Sequence, residues 1–415
     1  MNILVIGSGG REHALVHALS RSRLQPVVFA LPGNPGIGSL ATNLPGDMMS
    51  AETVLAACRD HHIELVVIGP EGPLAAGLAD RLRGQGIVVF GPGAEGARLE
   101  TSKDYAKRFM EKYDIPTAGY QTVSSFHDMI EAYRLPIVIK ADGLASGKGV
   151  FIPQTQQEYE QIAQELFVRR SLGESADKVV LEERLEGPEI SFFYLISGQN
   201  YRYVGHARDH KRAYDGAKGP NTGGMGAFTP VELTPQDEAQ IESIIQKTVR
   251  GLLAEGIDYR GVAFIGCMKT DQGLKVLEYN VRFGDPETQV LQALWGDHLA
   301  DWLLQAARGE AFDQAPLADT AAVCLVICSQ GYPGESLIGQ TISLGSISEA
   351  TLYHAGTALD HGRLINRGGR VFNLVSSAPT IEQARRVVYD NVDDVKFYGG
   401  WYRSDIAREE LEETT

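Results

Sequence analysis

The chain has 415 residues, 43% hydrophobic and 22% charged, with 53 Asp and Glu against 38 Lys and Arg, a formal net charge of −15. That length gives room for roughly two to four domains with full hydrophobic cores. The acidic balance excludes a general electrostatic affinity for nucleic acid, which needs a positive footprint, but leaves room for a local basic site that takes an anionic metabolite.

The N-terminus opens directly on Asn2-Ile3-Leu4-Val5-Ile6-Gly7, without the ordered basic, apolar and cleavage regions of a leader. No apolar run approaches a membrane span. The expectation is a cytoplasmic protein with no membrane and no nucleic-acid partner, its oligomeric state left open. Strand patterns at 2–7, 26–31, 64–69 and 87–90 alternate with helical patterns at 11–21, 51–61 and 73–84. Such alternation predicts a parallel sheet with helices on both faces. A helix at 102–113 stops before Ile115-Pro116, because the residue before proline is pushed away from the helical region. From 136 to 206 the pattern changes to α+β, with strands at 136–141, 149–152, 178–183, 189–197 and 200–206 around a helix at 155–170. The stretch 208–230 is long, polar and glycine-rich and is expected to hold no element of its own. A helix at 234–254, strands at 261–270 and 273–281 and a helix at 287–308 follow. The last block, 318–415, reads as a small α+β domain. Of the four cysteines, Cys58, Cys267, Cys324 and Cys328, only the last two are close in sequence. With no further Cys or His beside them they make a poor zinc set, and buried thiols are expected.

Five stretches carry chemistry. Ile6-Gly7-Ser8-Gly9-Gly10-Arg11-Glu12-His13 joins the first strand to the first helix, where backbone N–H groups can meet an anion. A dinucleotide fingerprint would need glycine where Glu12 stands and an acid ending the second strand, which instead ends Leu31-Pro32-Gly33-Asn34. NAD is therefore not expected. A phosphate-bearing substrate assisted by Arg11 and a plain tight connection both remain open. Ile139-Lys140-Ala141-Asp142-Gly143-Leu144-Ala145-Ser146-Gly147-Lys148-Gly149-Val150 resembles a Walker loop but lacks its first glycine and its final Ser or Thr, and leads into a strand. It reads as a glycine-rich hairpin lid over phosphates or as an ordinary turn. Glu182-Glu183-Arg184-Leu185 and Glu189 link two strands, and read either as a linker that offers backbone groups to a base edge and a following carboxylate to ribose, or as an ordinary acidic surface hairpin. Arg208-Asp209-His210-Lys211-Arg212 runs towards Gly219–Gly226, a cationic cluster that reads as a solvated face or an anion-binding segment. In Leu277-Glu278-Tyr279-Asn280-Val281-Arg282, strand alternation puts Glu278, Asn280 and Arg282 on one face, about 7 Å apart in steps of two. A carboxylate and an amide carbonyl are hard oxygen ligands suited to Mg²⁺, and arginine suits a phosphate oxygen; a solvated face of a half-exposed strand is the other reading of this segment.

Taken in order, these segments resemble the phosphoribosylamine–glycine ligase family of the ATP-grasp group. The resemblance also runs through Pro32-Gly33-Asn34-Pro35-Gly36, Gly69-Pro70-Glu71 and Asn280–Gln289. It implies an α/β and α+β multidomain fold. An N-terminal domain at 1–101 would bind substrate, an ATP-grasp pair at 102–310 with a lid at about 117–190 would clamp ATP, and a C-terminal domain at 318–415 would close the site. It implies ligation of glycine to 5-phosphoribosylamine with ATP and Mg²⁺ or Mn²⁺ through a glycyl phosphate. It further implies Glu278 and Asn280 as metal ligands, and Arg282, Asp209 and Lys211 as catalytic residues, with Arg282 on the transferred phosphate. Lys103, Lys140, Gly147, Lys148, Glu182, Glu183, Leu185 and Glu189 would hold ATP. Gly9, Gly10, Arg11, Glu12, Asn34 and Asp285 would hold substrate. The chain departs from the family pattern at Leu291-Gln292-Ala293-Leu294 and Ser376-Ser377-Ala378-Pro379.

Overall fold

A computed structural model describes residues 1–143 and 149–408. The expected ATP contacts Gly147 and Lys148 lie outside the described residues. The first layer is a five-stranded parallel sheet in the order Thr42–Asn43, Val27–Pro32, Asn2–Gly7, Leu65–Ile68, Val89–Phe90. Every residue of Leu65–Ile68 is buried, as a parallel strand covered on both faces requires. The helix Ala51–Asp60 starts where the Ser50 side chain accepts from the Thr53 N–H. The pattern at 73–84 is not one helix but two, Glu71–Ala75 and Leu78–Arg83, because Gly77 between them is left-handed at φ +73°. In the same way the expected helix at 287–308 divides into Glu287–Leu291, a turn at Gln292–Leu294 and Leu299–Arg308, with Gly296 left-handed at φ +57°.

A small antiparallel sheet, in the order Tyr120–Val123, Val179–Glu183, Ile137–Ala141, Val150–Phe151, stands apart with its own core. That core gathers Val123, Met129, Ile137, Ile139, Tyr159, Val179 and Leu181. The large sheet has eight strands in the order Gly273–Asn280, Arg260–Thr270, Glu189–Ser197, Asn200–Asp209, Gly226–Thr229, Ala321–Cys328, Arg370–Ala378, Thr351–His354. Here 208–230 differs from expectation: it holds the strands Arg212–Tyr214, Lys218–Asn221 and Gly226–Thr229. Gly226–Thr229 lies mid-sheet, pairing Arg208 with Phe228 on one side and Ala227 with Cys324 on the other. Partners far away in sequence override its glycine-rich composition. Through this strand the C-terminal strands are hydrogen-bonded into the central sheet, and one buried core runs from Ile3 to Ala407. All four cysteines are free and buried.

Candidate functional site

Between the two sheets and the N-terminal layer lies a cavity of about 430 Å³. One wall is Gly273–Asn280, the edge strand of the large sheet. Glu278 and Asn280 both face the cavity from it, as strand alternation predicts. The Asn280 Nδ2 donates to Glu278 Oε1 at 3.3 Å, and Asn280 Oδ1 accepts from Arg282 Nη2 at 3.1 Å. Burial raises the Glu278 carboxyl, but Lys211, Lys140 and Lys103 outweigh it and hold the group ionised at about 2. Glu278 and Asn280 thus offer two adjacent oxygen donors. Among the described residues no three His, Cys, Asp or Glu side chains converge as a metal cage. The donor set therefore fits a Mg²⁺ that takes its remaining ligands from phosphate and water.

Arg282 bridges two carboxylates from the N-terminal layer: Nη2 lies 2.8 Å from Glu100 Oε1 and Nε 3.4 Å from Glu71 Oε2. Glu100 also accepts from the Val281 N–H at 2.8 Å, which fixes the chain just past the edge strand. Opposite, on the small sheet, the buried Glu182 sits between two lysines, 3.1 Å from Lys107 Nζ and 3.0 Å from Lys140 Nζ. Burial lowers Lys107 to about 8 although Glu182 raises it. Lys140 also donates to the Leu277 carbonyl at 3.1 Å, spanning from the small sheet to the metal strand. Glu182 therefore turns its carboxylate to the lysines and leaves only backbone groups of the linker for a base. Glu183 points outward, where it accepts from the Gly119 N–H at 3.4 Å, and Leu185 is half-buried. Glu189, expected at ribose, pairs with Lys211 at the cavity mouth, both side chains partly exposed.

At the N-terminal loop, Arg11 lines the cavity and donates to the Phe283 carbonyl at 3.0 Å. Of the residues expected at substrate, Gly9, Gly10, Glu12 and Asn34 do not line the cavity; for Glu12 and Asn34 the fold already uses their polar groups. The Glu12 carboxylate accepts from the Gly9 N–H and from Arg11 Nε, each at 2.6 Å, and fills the space above Gly69, where a Cβ would come within 2.2 Å of it. The Asn34 amide donates to Ser8 and His354 carbonyls at 2.8 and 2.9 Å and accepts from the Ile37 N–H. Gly10 packs against Asn373, whose Nδ2 would be 2.1 Å from a Cβ there. Asp285 stays in the wall: it accepts from the Arg11 N–H at 3.3 Å and from Gln289 Nε2 at 2.9 Å, with Arg370 at 3.5 Å. Lys103 and Asp209 line the same cavity. His206 and His210 take polar contacts, with Val231 and with the Ala407 N–H.

Sequence reasoning gave no role to Glu71, Glu100, Lys107, Glu287 or Arg370, all of which line the cavity. Glu71 and Glu287 stood inside quoted motifs, which was signal enough to consider them. Arg370 carried none: it arrives on a C-terminal strand and donates to the Asp285 carbonyl at 2.7 Å.

Comparison with known proteins agrees with this architecture. Residues 1–100, 101–288 and 322–409 match the phosphoribosylglycinamide synthetase N domain, ATP-grasp (A) domain and C domain. A phosphoribosylamine–glycine ligase of Mesorhizobium japonicum is 42% identical over 418 aligned positions, covering 98% of each chain. The crystal structure of a phosphoribosylamine–glycine ligase from Thermotoga maritima superposes with a TM-score of 0.86 at 38% identity, covering 98% of this chain and all of that one. The biotin carboxylase domain of 2-oxoglutarate carboxylase from Hydrogenobacter thermophilus, solved with MgADP, shares the fold alone: TM-score 0.74 at 17% identity, covering 96% and 91% of the two chains.

Proposed function

The chain belongs to the phosphoribosylglycinamide synthetase family, and from that premise we propose that it ligates glycine to 5-phosphoribosylamine, converting ATP to ADP and phosphate. The observation that carries the reading is the pair Glu278 and Asn280 on an edge strand lining the cavity, with Lys140 of the small sheet reaching the Leu277 carbonyl of that strand.

In this reading the glycine carboxylate attacks the γ-phosphorus and ADP leaves; the amine nitrogen then attacks the acyl carbon of the glycyl phosphate, the C–O bond to phosphate breaks, phosphate leaves, and the nitrogen gives up a proton. Phosphoryl transfer needs little covalent help, so positioning and charge carry it. Glu278 and Asn280 would hold Mg²⁺, which when bound neutralises phosphate charge; the MgADP of the biotin carboxylase neighbour supports that choice, and Mn²⁺ is the alternative to test. Lys103 and Lys140 face the phosphates. Arg282, already braced by Glu100 and Glu71, is held at one orientation and meets the transferred phosphate without having to be ordered first. Lys211, beside Glu278 in the field of the cavity, adds positive charge on the same side. Arg11 and Asp285 form the acceptor end. The lid above Lys140 keeps water from the acyl phosphate. We assign 1–101 to the acceptor domain, 102–310 to the ATP-grasp unit and 318–415 to the closing domain. No described helix is long and apolar enough to cross a membrane, which fits the small-molecule partners and a cytoplasmic setting.

The test is ADP release. It should require glycine and phosphoribosylamine together with Mg·ATP. Equal release without either substrate, or with other amines in place of phosphoribosylamine, would overturn the assignment.

A further inference from the structure

A second cavity, of about 590 Å³, opens where the N- and C-terminal layers meet, and it shares no lining residue with the central one. The N-terminal layer gives it His17 and Arg21, from the helix Gly10–Ser20 and the residue that ends it. The C-terminal layer gives it Glu349, Ser376 and Ser377, and Gln292 completes the polar wall. Two stretches at which the chain departs from the family pattern, Leu291–Leu294 and Ser376–Pro379, lie far apart in sequence and meet here. Neither lines the central cavity. The departures leave the reacting end untouched and fall together on this one place.

Its polar groups are set for a ligand. Gln292 is only 6% exposed. Its Oε1 accepts from Arg21 Nη2 at 2.7 Å, which aims the guanidinium, while its Nε2 has no hydrogen-bond partner among the described residues. A buried amide donor ordinarily finds a partner. Arg21 and Glu349 line the cavity from opposite layers, and neither forms an ion pair with a described residue or with the other. The Ser376 hydroxyl donates to the Glu349 carbonyl at 3.1 Å and holds that turn, where Glu349 is left-handed at φ +59°. Opposite charges that share a cavity without meeting suit a molecule that carries both. The arginine fork matches a carboxylate, with Gln292 Nε2 as a further donor, and Glu349 matches an ammonium. Ala293, Ala350 and Val375 line the remainder and leave apolar room that glycine would not fill.

We propose that this cavity binds a free α-amino acid larger than glycine, with its carboxylate on Arg21 and Gln292 and its ammonium on Glu349, so that the ligand bridges the N- and C-terminal layers. The site stands apart from the ligase reading. His17 reports on it, since its ring lines the cavity, bonds Tyr353 through Nδ1 at 2.7 Å and lies in the field of Arg21. The test follows the His17 ring by NMR in the full chain. The probe is an equimolar mixture of the chiral proteinogenic amino acids, and the control is the matching mixture of α-hydroxy acids, which keeps the carboxylate and loses the ammonium. The amino acids should move the His17 resonances saturably, and the hydroxy acids should need about tenfold higher concentration or more. Arg21→Gln and Glu349→Gln should each weaken the response by about tenfold or more; both positions are exposed, so the fold tolerates the changes. Glu278→Gln, in the central cavity, should keep the full response. No movement of His17 in wild type, an equal response to the hydroxy acids, or a response that survives Arg21→Gln and disappears in Glu278→Gln would each overturn the site.

Discussion

The small and large sheets face each other across one cavity, yet they are anchored differently. The large sheet is one body with the N- and C-terminal layers, joined through a continuous core. The small sheet has its own core around Tyr159. Polar links tie it to the body: Thr117 Oγ1 donates to the Val276 carbonyl at 2.6 Å, the Val276 N–H donates to the Pro116 carbonyl at 2.8 Å, and Lys140 reaches the Leu277 carbonyl. These links fall on the edge strand that carries Glu278. A unit with a separate core and polar attachments can reorient as a rigid piece, and its motion would move Lys140 against a metal pair that stays fixed. In the proposed reading the difference between the sheets is thus between a fixed wall that would hold the cation and a movable wall that would close on the phosphates.

Four changes break or sharpen that contrast. Glu278→Ala removes a donor from the fixed wall; ADP formation should fall by about 1,000-fold or more, with the melting temperature of the body unchanged in a thermal scan. Glu182→Ala leaves Lys107 and Lys140 buried without counter-charge, a cost of about 3–5 kcal/mol. Hydrogen exchange should speed up in the small sheet and stay slow in the large one; uniform loosening would mean the two sheets are not separate units. Acid should do the reverse. Where the helix Gly10–Ser20 meets the strand Thr351–His354, burial lowers His13 to about 3 and His17 and His354 to about 4, from an ordinary 6.5. The folded state keeps these rings neutral while the unfolded chain takes up protons below 6.5, so this stability is complete above that pH and is lost progressively down through 4. Acid titration followed by exchange should loosen this seam of the body before the small sheet. Smallest is Tyr159→Phe, which deletes the bond from its hydroxyl to the Met129 carbonyl, 2.7 Å. It should cost about 1 kcal/mol, read as faster exchange confined to the small sheet.

How much of this was legible in the sequence depends on the range of the interaction. Glu278 and Asn280 were legible because strand alternation is local and fixes which side chains share a face. Glu12 lies off the cavity lining and serves the helix start, where its spacing from Gly9 fits a capping box, a local signal that competes with substrate binding for the same carboxylate. The strand Gly226–Thr229 was hidden because nothing near it in sequence pairs with it; its neighbours are Asn200–Asp209 and Ala321–Cys328. Arg370 was hidden for the same reason, brought to Asp285 only by the sheet register. Glu287 could be seen in Asp285-Pro286-Glu287, but its place in the cavity wall emerges only from the fold.

The central claim, that Glu278 and Asn280 hold a divalent cation against the nucleotide, is tested most directly by calorimetry of ADP binding with and without Mg²⁺. Wild type should bind ADP more tightly when Mg²⁺ is present, and Glu278→Gln should lose that enhancement while keeping its metal-free affinity. An enhancement of the same size in the variant would contradict the account.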